Sequence, residues 1–126
     1  KGGLIHFDPR LVVTYRPRSS ISALAQQYFE YGRWRRVVSR RHEGTINYRY
    51  LAPPFTVVVT ILSTTLGILV STIFLLPVLI YALFILLASL VIGKSLGEIL
   101  SLPLILLTMH MSWGTGFLTS PKSLAP

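Results

Sequence analysis

The sequence predicts a mainly α-helical membrane protein: a short β-hairpin, an amphipathic interfacial helix, then two to three transmembrane helices. Three observations carry that prediction. Residues 50–93 contain no charged side chain. Of the twelve basic residues, ten precede Tyr50, and only Lys94 and Lys122 follow it. The composition, 52% hydrophobic and 13% charged with a mean hydropathy of +0.62, is too apolar for a soluble domain of 126 residues.

The elements follow in chain order. Residues 4–7 and 11–15 are two β-prone runs separated by the turn-forming Asp8-Pro9. A two-stranded piece is marginal on its own, so residues 1–18 read as the β remnant of a domain that precedes this chain. The N-terminus agrees with that expectation, since Lys1 is not a start methionine and Lys1-Gly2-Gly3 lacks the apolar core of a signal peptide.

Residues 19–49 are expected to form a basic amphipathic helix and a linker. Ser19 or Ser20 can cap the helix, and Ile21, Leu24, Tyr28 and Tyr31 recur at helical spacing through about Arg41. At about 100° per residue, Gln26, Glu30 and Arg33 fall on one stripe and Gln27, Tyr31 and Trp34 on the next, with Arg36 and Arg40 continuing the polar side. Arginines and aromatic rings in that arrangement suit a membrane surface.

Residues 50–126 form the membrane region. As one helix the uncharged run would be roughly 65 Å long, against a hydrocarbon core of about 30 Å, so it divides into spans at about 54–71 and 74–92. Ser71-Thr72 is the expected join; Pro77 competes with it, either as the join or as a kink. Residues 99–117 are a third candidate, interrupted by Pro103 and compatible with a crossing, a re-entrant loop or an interfacial segment with Trp113 in the aromatic belt. The arginine excess places residues 1–49 on the cytoplasmic side.

The composition excludes much chemistry. Cysteine is absent, which removes disulfides, thiol nucleophiles and thiolate metal sites. The acidic residues number only four, Asp8, Glu30, Glu43 and Glu98, and the three histidines share no metal-ligand spacing. His110, between Met109 and Met111, reads as an interfacial histidine bonded to backbone rather than a soft-metal ligand. Lys94 and Glu98 read as a polar loop and a helix start. A nucleic-acid partner is not expected, because proximity to a membrane span explains the arginines more simply.

The informative stretch, from Thr14 through Arg36 and on to Arg41-His42 and Arg49–Pro54, joins dense arginine to exposed aromatics and glutamine. That suits an anionic, sugar-bearing ligand, with guanidinium forks for phosphate and flat rings for sugar faces. Composition alone favours a plainer reading, a positive-inside flank whose arginines touch lipid headgroups. A wider set of pieces runs along the chain: Phe7-Asp8-Pro9 with Val13-Thr14-Tyr15-Arg16-Pro17-Arg18, then Gln27-Tyr28-Phe29 with Tyr31-Gly32-Arg33-Trp34-Arg35-Arg36. Arg49-Tyr50-Leu51-Ala52-Pro53-Pro54 follows, and then His110 with Trp113-Gly114 and Gly116-Phe117. In this order the pieces resemble the C-terminal region of bacterial family 2 glycosyltransferases, most closely the succinoglycan-biosynthesis glycosyltransferases.

The resemblance implies the C-terminal membrane-attachment and acceptor-binding portion of a longer inverting enzyme of the bacterial inner membrane. That enzyme would move a sugar from a nucleotide-sugar donor to a polyprenyl-linked glycan in exopolysaccharide synthesis. It implies that the catalytic base and a divalent metal, Mg or Mn, belong to an N-terminal catalytic domain absent from this chain, which alone would be inactive and hold no cofactor. Processive relatives carry Gln-x-x-Arg-Trp in the interfacial helix. Here Arg33-Trp34 keep the pair while Glu30 occupies the glutamine position, a departure that argues against a processive polymerase. The substrate-binding residues carried over are Gln27, Arg33, Trp34 and Arg36: Arg33 for a diphosphate or lipid phosphate, Trp34 as an acceptor platform. The alternative is a small non-enzymatic membrane anchor or scaffold whose basic head binds anionic lipid.

Overall fold

The computed structural model describes Val12, Thr14 and residues 18–124. Four helices dominate these residues: α1 (Ile21–Arg41), α2 (Ala52–Leu69), α3 (Leu76–Ile92) and α4 (Leu96–Thr119). Short 3₁₀ turns lie at Tyr48–Tyr50, Thr72–Leu75 and Lys122–Leu124. No strand occurs among the described residues; the hairpin expected over 4–15 falls outside them except for Val12 and Thr14, neither of which is in a strand.

Local chemistry sets each helix boundary. The Ser20 hydroxyl accepts from the Ala23 amide at 3.2 Å and starts α1, and Arg40 and Arg41 sit in its last turn beside the free carbonyls. Gly44, at φ 76°, supplies the left-handed residue in the turn that follows. Pro53 and Pro54 stand in the first turn of α2, where a missing N–H costs no helical hydrogen bond. The helix therefore starts and stops about two residues earlier than the expected 54–71.

Val70 ends α2, and the Ser71 hydroxyl faces the Ile73 amide at 3.5 Å to begin the 3₁₀ turn. Pro77 is neither join nor kink, since it lies in the first turn of α3. Ser95 opens α4 as a reciprocal cap: its hydroxyl accepts from the Glu98 amide at 3.3 Å, and the Glu98 carboxylate accepts from the Lys94 amide at 2.8 Å. Pro103 sits inside α4 without ending it. The expected interruption of 99–117 is thus corrected to one continuous helix of 24 residues.

Three segments, Tyr48–Leu69, Thr72–Ile92 and Leu96–Thr119, are long and apolar enough to cross a membrane. Their outward faces agree: Ile68, Leu69, Ile80, Phe84 and Val91 are all exposed, as suits a surface meeting hydrocarbon rather than water. Hydroxyls in these helices turn back on their own backbone, Ser89 to the Ile85 carbonyl at 2.8 Å and Thr108 to that of Leu104 at 2.7 Å.

The tightest packing joins α1 to α4, which run in the same direction. Gly32 lies against the Trp113 carbonyl and Gly116 against the Phe29 carbonyl; a methyl group at either glycine would overlap that oxygen. One turn on, the Ser120 hydroxyl donates to the Arg33 carbonyl at 3.1 Å. Arg40 then donates to the carbonyls of Ser120 at 2.7 Å and Pro121 at 3.0 Å, closing the C-terminal end of α4. Gly114 faces Pro53 and Val57, so the start of α2 meets the same stretch of α4. The beginning of α2 and the end of α4 therefore lie side by side, and α4 in turn is fastened to α1.

Candidate functional site

Two clefts of different chemistry flank α1, and of the four residues singled out from the sequence Gln27 borders one and Arg36 the other. Gln27 organises the first. Its side-chain oxygen accepts from Arg18 Nε at 3.1 Å, and its amide nitrogen donates to the Tyr31 hydroxyl at 2.5 Å. With Gln26 and Glu30 these residues border an open polar cleft of about 440 Å³. Trp34 continues the stripe three residues beyond Tyr31, and both rings are 52% exposed, available to a flat ligand.

Arg33 lies beside this face. It forms an ion pair with Glu30 at 2.8 Å and its guanidinium stands 5.6 Å from the Phe29 ring centre. Glu30, the departure from the Gln-x-x-Arg-Trp pattern, thus holds the arginine that follows it. An ion pair this exposed contributes about 0.5 kcal/mol, so a phosphate could displace the carboxylate at little cost.

Arg36 belongs elsewhere. Nine residues from Gln27 turn a helix by about 900°, or half a circle beyond two full turns, and carry Arg36 to the opposite face. There its guanidinium lies 5.0 Å from the centre of the Phe117 ring. Together with Arg40, Phe55, Val58 and Leu118 it borders a second cleft of about 380 Å³ between α1, α2 and α4. Gln27 and Arg36 thus border different clefts, while Arg33 and Trp34 lie on the helix surface and line neither.

Between these faces runs a stack that sequence reasoning did not anticipate. Tyr50 and Trp113 lie with ring centres 6.5 Å apart and planes inclined by 19°; Trp113 and Phe117 follow at 5.5 Å and 13°. Arg35 covers the free face of Tyr50 at 3.7 Å, with one Nη held by the Thr45 carbonyl, and Arg36 closes the other end over Phe117. The Arg35 Nε is buried with no hydrogen-bond partner, which leaves the ring face as its main compensation. The signal existed as separate pieces, Arg35-Arg36, Arg49-Tyr50 and Trp113-Gly114, but nothing in their spacing says that they meet.

His110 is also corrected. It pairs with a side chain rather than the backbone, its Nδ1 standing 3.0 Å from the Tyr81 hydroxyl. It borders a third, smaller cleft of about 220 Å³ with Tyr28, Arg49, Tyr50 and Trp113. Among the described residues no three His, Asp or Glu side chains converge to hold a metal ion.

No protein family, no curated protein and no solved structure matches this chain.

Proposed function

We propose that this chain is the membrane-attachment and acceptor-binding portion of an inverting glycosyltransferase, one that moves a sugar from a nucleotide-sugar donor to a polyprenyl-linked glycan. The observation that carries the reading is the outer face of α1, where Gln27, Tyr31 and Trp34 stand together beside the Glu30–Arg33 pair. Sugars present hydroxyls around their rim and C–H groups on their faces. A surface that binds them needs amide, phenol and carboxylate groups beside a flat aromatic ring, and this face has all four. A phosphate linking the sugar to lipid would call for a guanidinium at its edge, which Arg33 supplies.

The membrane helices give that face its position. α1 is fastened to α4 along its length, and the apolar surfaces of α2 and α3 would anchor both. In this reading the nucleotide sugar, the catalytic base and the divalent metal belong to a catalytic domain preceding Lys1, and residues 18–49 lie on the cytoplasmic side of a bacterial inner membrane. This chain's own residues orient the acceptor and take no proton.

The test uses the complete enzyme. Trp34→Ala and Arg33→Ala should each lower transfer about tenfold or more, equivalent to ~1.4 kcal/mol, with unchanged protein in the membrane fraction. Unaltered turnover in both variants removes α1 from the mechanism. Coding sequence upstream of Lys1 without an α/β domain carrying Asp-x-Asp would leave a non-enzymatic membrane anchor instead.

A further inference from the structure

The cleft on the far side of α1 has a charge distribution that the acceptor reading does not use. One wall carries Arg36 and Arg40, a helical turn apart, and no carboxylate borders it. Arg40 is fixed by the Ser120 and Pro121 carbonyls, which orient its guanidinium without neutralising it. Arg36 rests on the Phe117 ring and has no hydrogen-bond acceptor among the described residues. Two positive charges are thus held at the mouth of one cleft with no anion opposite them.

The opposite wall is apolar and continues outward. Phe55 and Val58, one turn apart on α2, are 68% and 40% exposed, and Leu118 of α4 faces them across the cleft. α2 is one of the helices apolar enough to enter a bilayer, and Phe55 and Val58 lie just inside its first turns. Moving along the cleft, the lining changes from guanidinium to hydrocarbon where a membrane helix begins. A soluble phosphate would satisfy the arginines and leave the apolar wall wet. A molecule with a phosphate at one end and a hydrocarbon chain at the other matches both.

We propose that this cleft binds one anionic phospholipid, its phosphodiester between Arg36 and Arg40 and an acyl chain along Phe55 and Val58. The volume of about 380 Å³ accommodates a headgroup and the first part of a chain. Guanidinium groups suit the headgroup because they fork onto phosphate oxygens and are weakly hydrated. The lipid would touch α1, α2 and α4 at once and bridge three helices that few buried hydrophobic side chains hold together. It requires neither catalytic activity nor the acceptor face.

The experiment takes the complete protein, reconstituted in vesicles of equal phosphatidylglycerol and phosphatidylcholine, extracted in mild detergent and weighed by native mass spectrometry. One phosphatidylglycerol should remain per chain, undisplaced by excess glycerol phosphate. The double variant Arg36→Gln with Arg40→Gln should lower retention about tenfold or more. Val58→Trp fills the apolar end while leaving every charge in place and should do the same, and it decides the matter if the arginine variant does not fold. Arg41→Gln with Lys122→Gln removes two charges outside the cleft and should retain the lipid. Undiminished retention in Val58→Trp, equal loss in the Arg41/Lys122 variant, or displacement by glycerol phosphate would each overturn the proposal.

Discussion

Gly32 of α1 stands directly against the backbone carbonyl of Trp113 on α4, with no room for a methyl group between them. Gly116 repeats the arrangement in the reverse sense against Phe29. Gly32→Ala or Gly116→Ala must push two backbones apart, and each should destabilise the fold by about 1–3 kcal/mol. Gly97, at the open start of α4, has no neighbour that a methyl would meet. Gly97→Ala should therefore leave stability unchanged within about 1 kcal/mol. Thermal unfolding in detergent separates the three.

The Arg35 guanidinium and the Tyr50 ring should be energetically coupled. In a double-mutant cycle of Arg35→Gln and Tyr50→Leu the coupling is expected at about 1 kcal/mol. Arg35→Lys should recover little of it, because an ammonium neither stacks flat on the ring nor reaches the Thr45 carbonyl with the same geometry. Additive losses would mean that the stack is a contact without energetic weight.

Ser95→Ala should cost about 1 kcal/mol by freeing the Glu98 amide at the start of α4. Glu98→Ala should act through the other half of the same cap, at the Lys94 amide. Hydrogen exchange at those two amides should accelerate in the corresponding variants, while amides near Gly114 keep their protection.

The meeting of Pro53 with Gly114, and of Arg40 with Ser120, predicts topology. A reporter placed after Pro126 should lie on the same side of the membrane as a tag inserted near Gly44, which takes an even number of crossings: α2 and α3 cross, and α4 lies along α1 at the surface. Opposite sides would require the end of α4 to part from α1, contrary to the hydrogen bonds that Arg40 makes.

The sequence announced the helices more clearly than their partners. Ser20 and the recurrence of Ile21, Leu24, Tyr28 and Tyr31 marked α1 almost to the residue, because caps and apolar periodicity are local signals. Proline misled twice. Pro54 was expected to begin a span that Ala52 begins, and Pro103 to interrupt a helix that continues, since proline's effect depends on whether the missing N–H had a partner. The association of α1 with α4 was not legible at all. It depends on Gly32 and Gly116, and glycine adds nothing to an apolar stripe. The helical repeat alone separates Arg36 from Gln27, but its partner Phe117, 81 residues on, was not legible.

Gly114 and Gly116 have a consequence for how this protein can vary. Every other amino acid carries a Cβ, so neither position admits a small substitution from which a second change could recover. Loops and lipid-facing leucines can drift freely. The crossing of α1, α2 and α4 can change only if a glycine and the backbone opposite it move together. That junction should be the slowest-changing part of the chain in any lineage that keeps this fold, slower even than the exposed rings whose chemistry it supports.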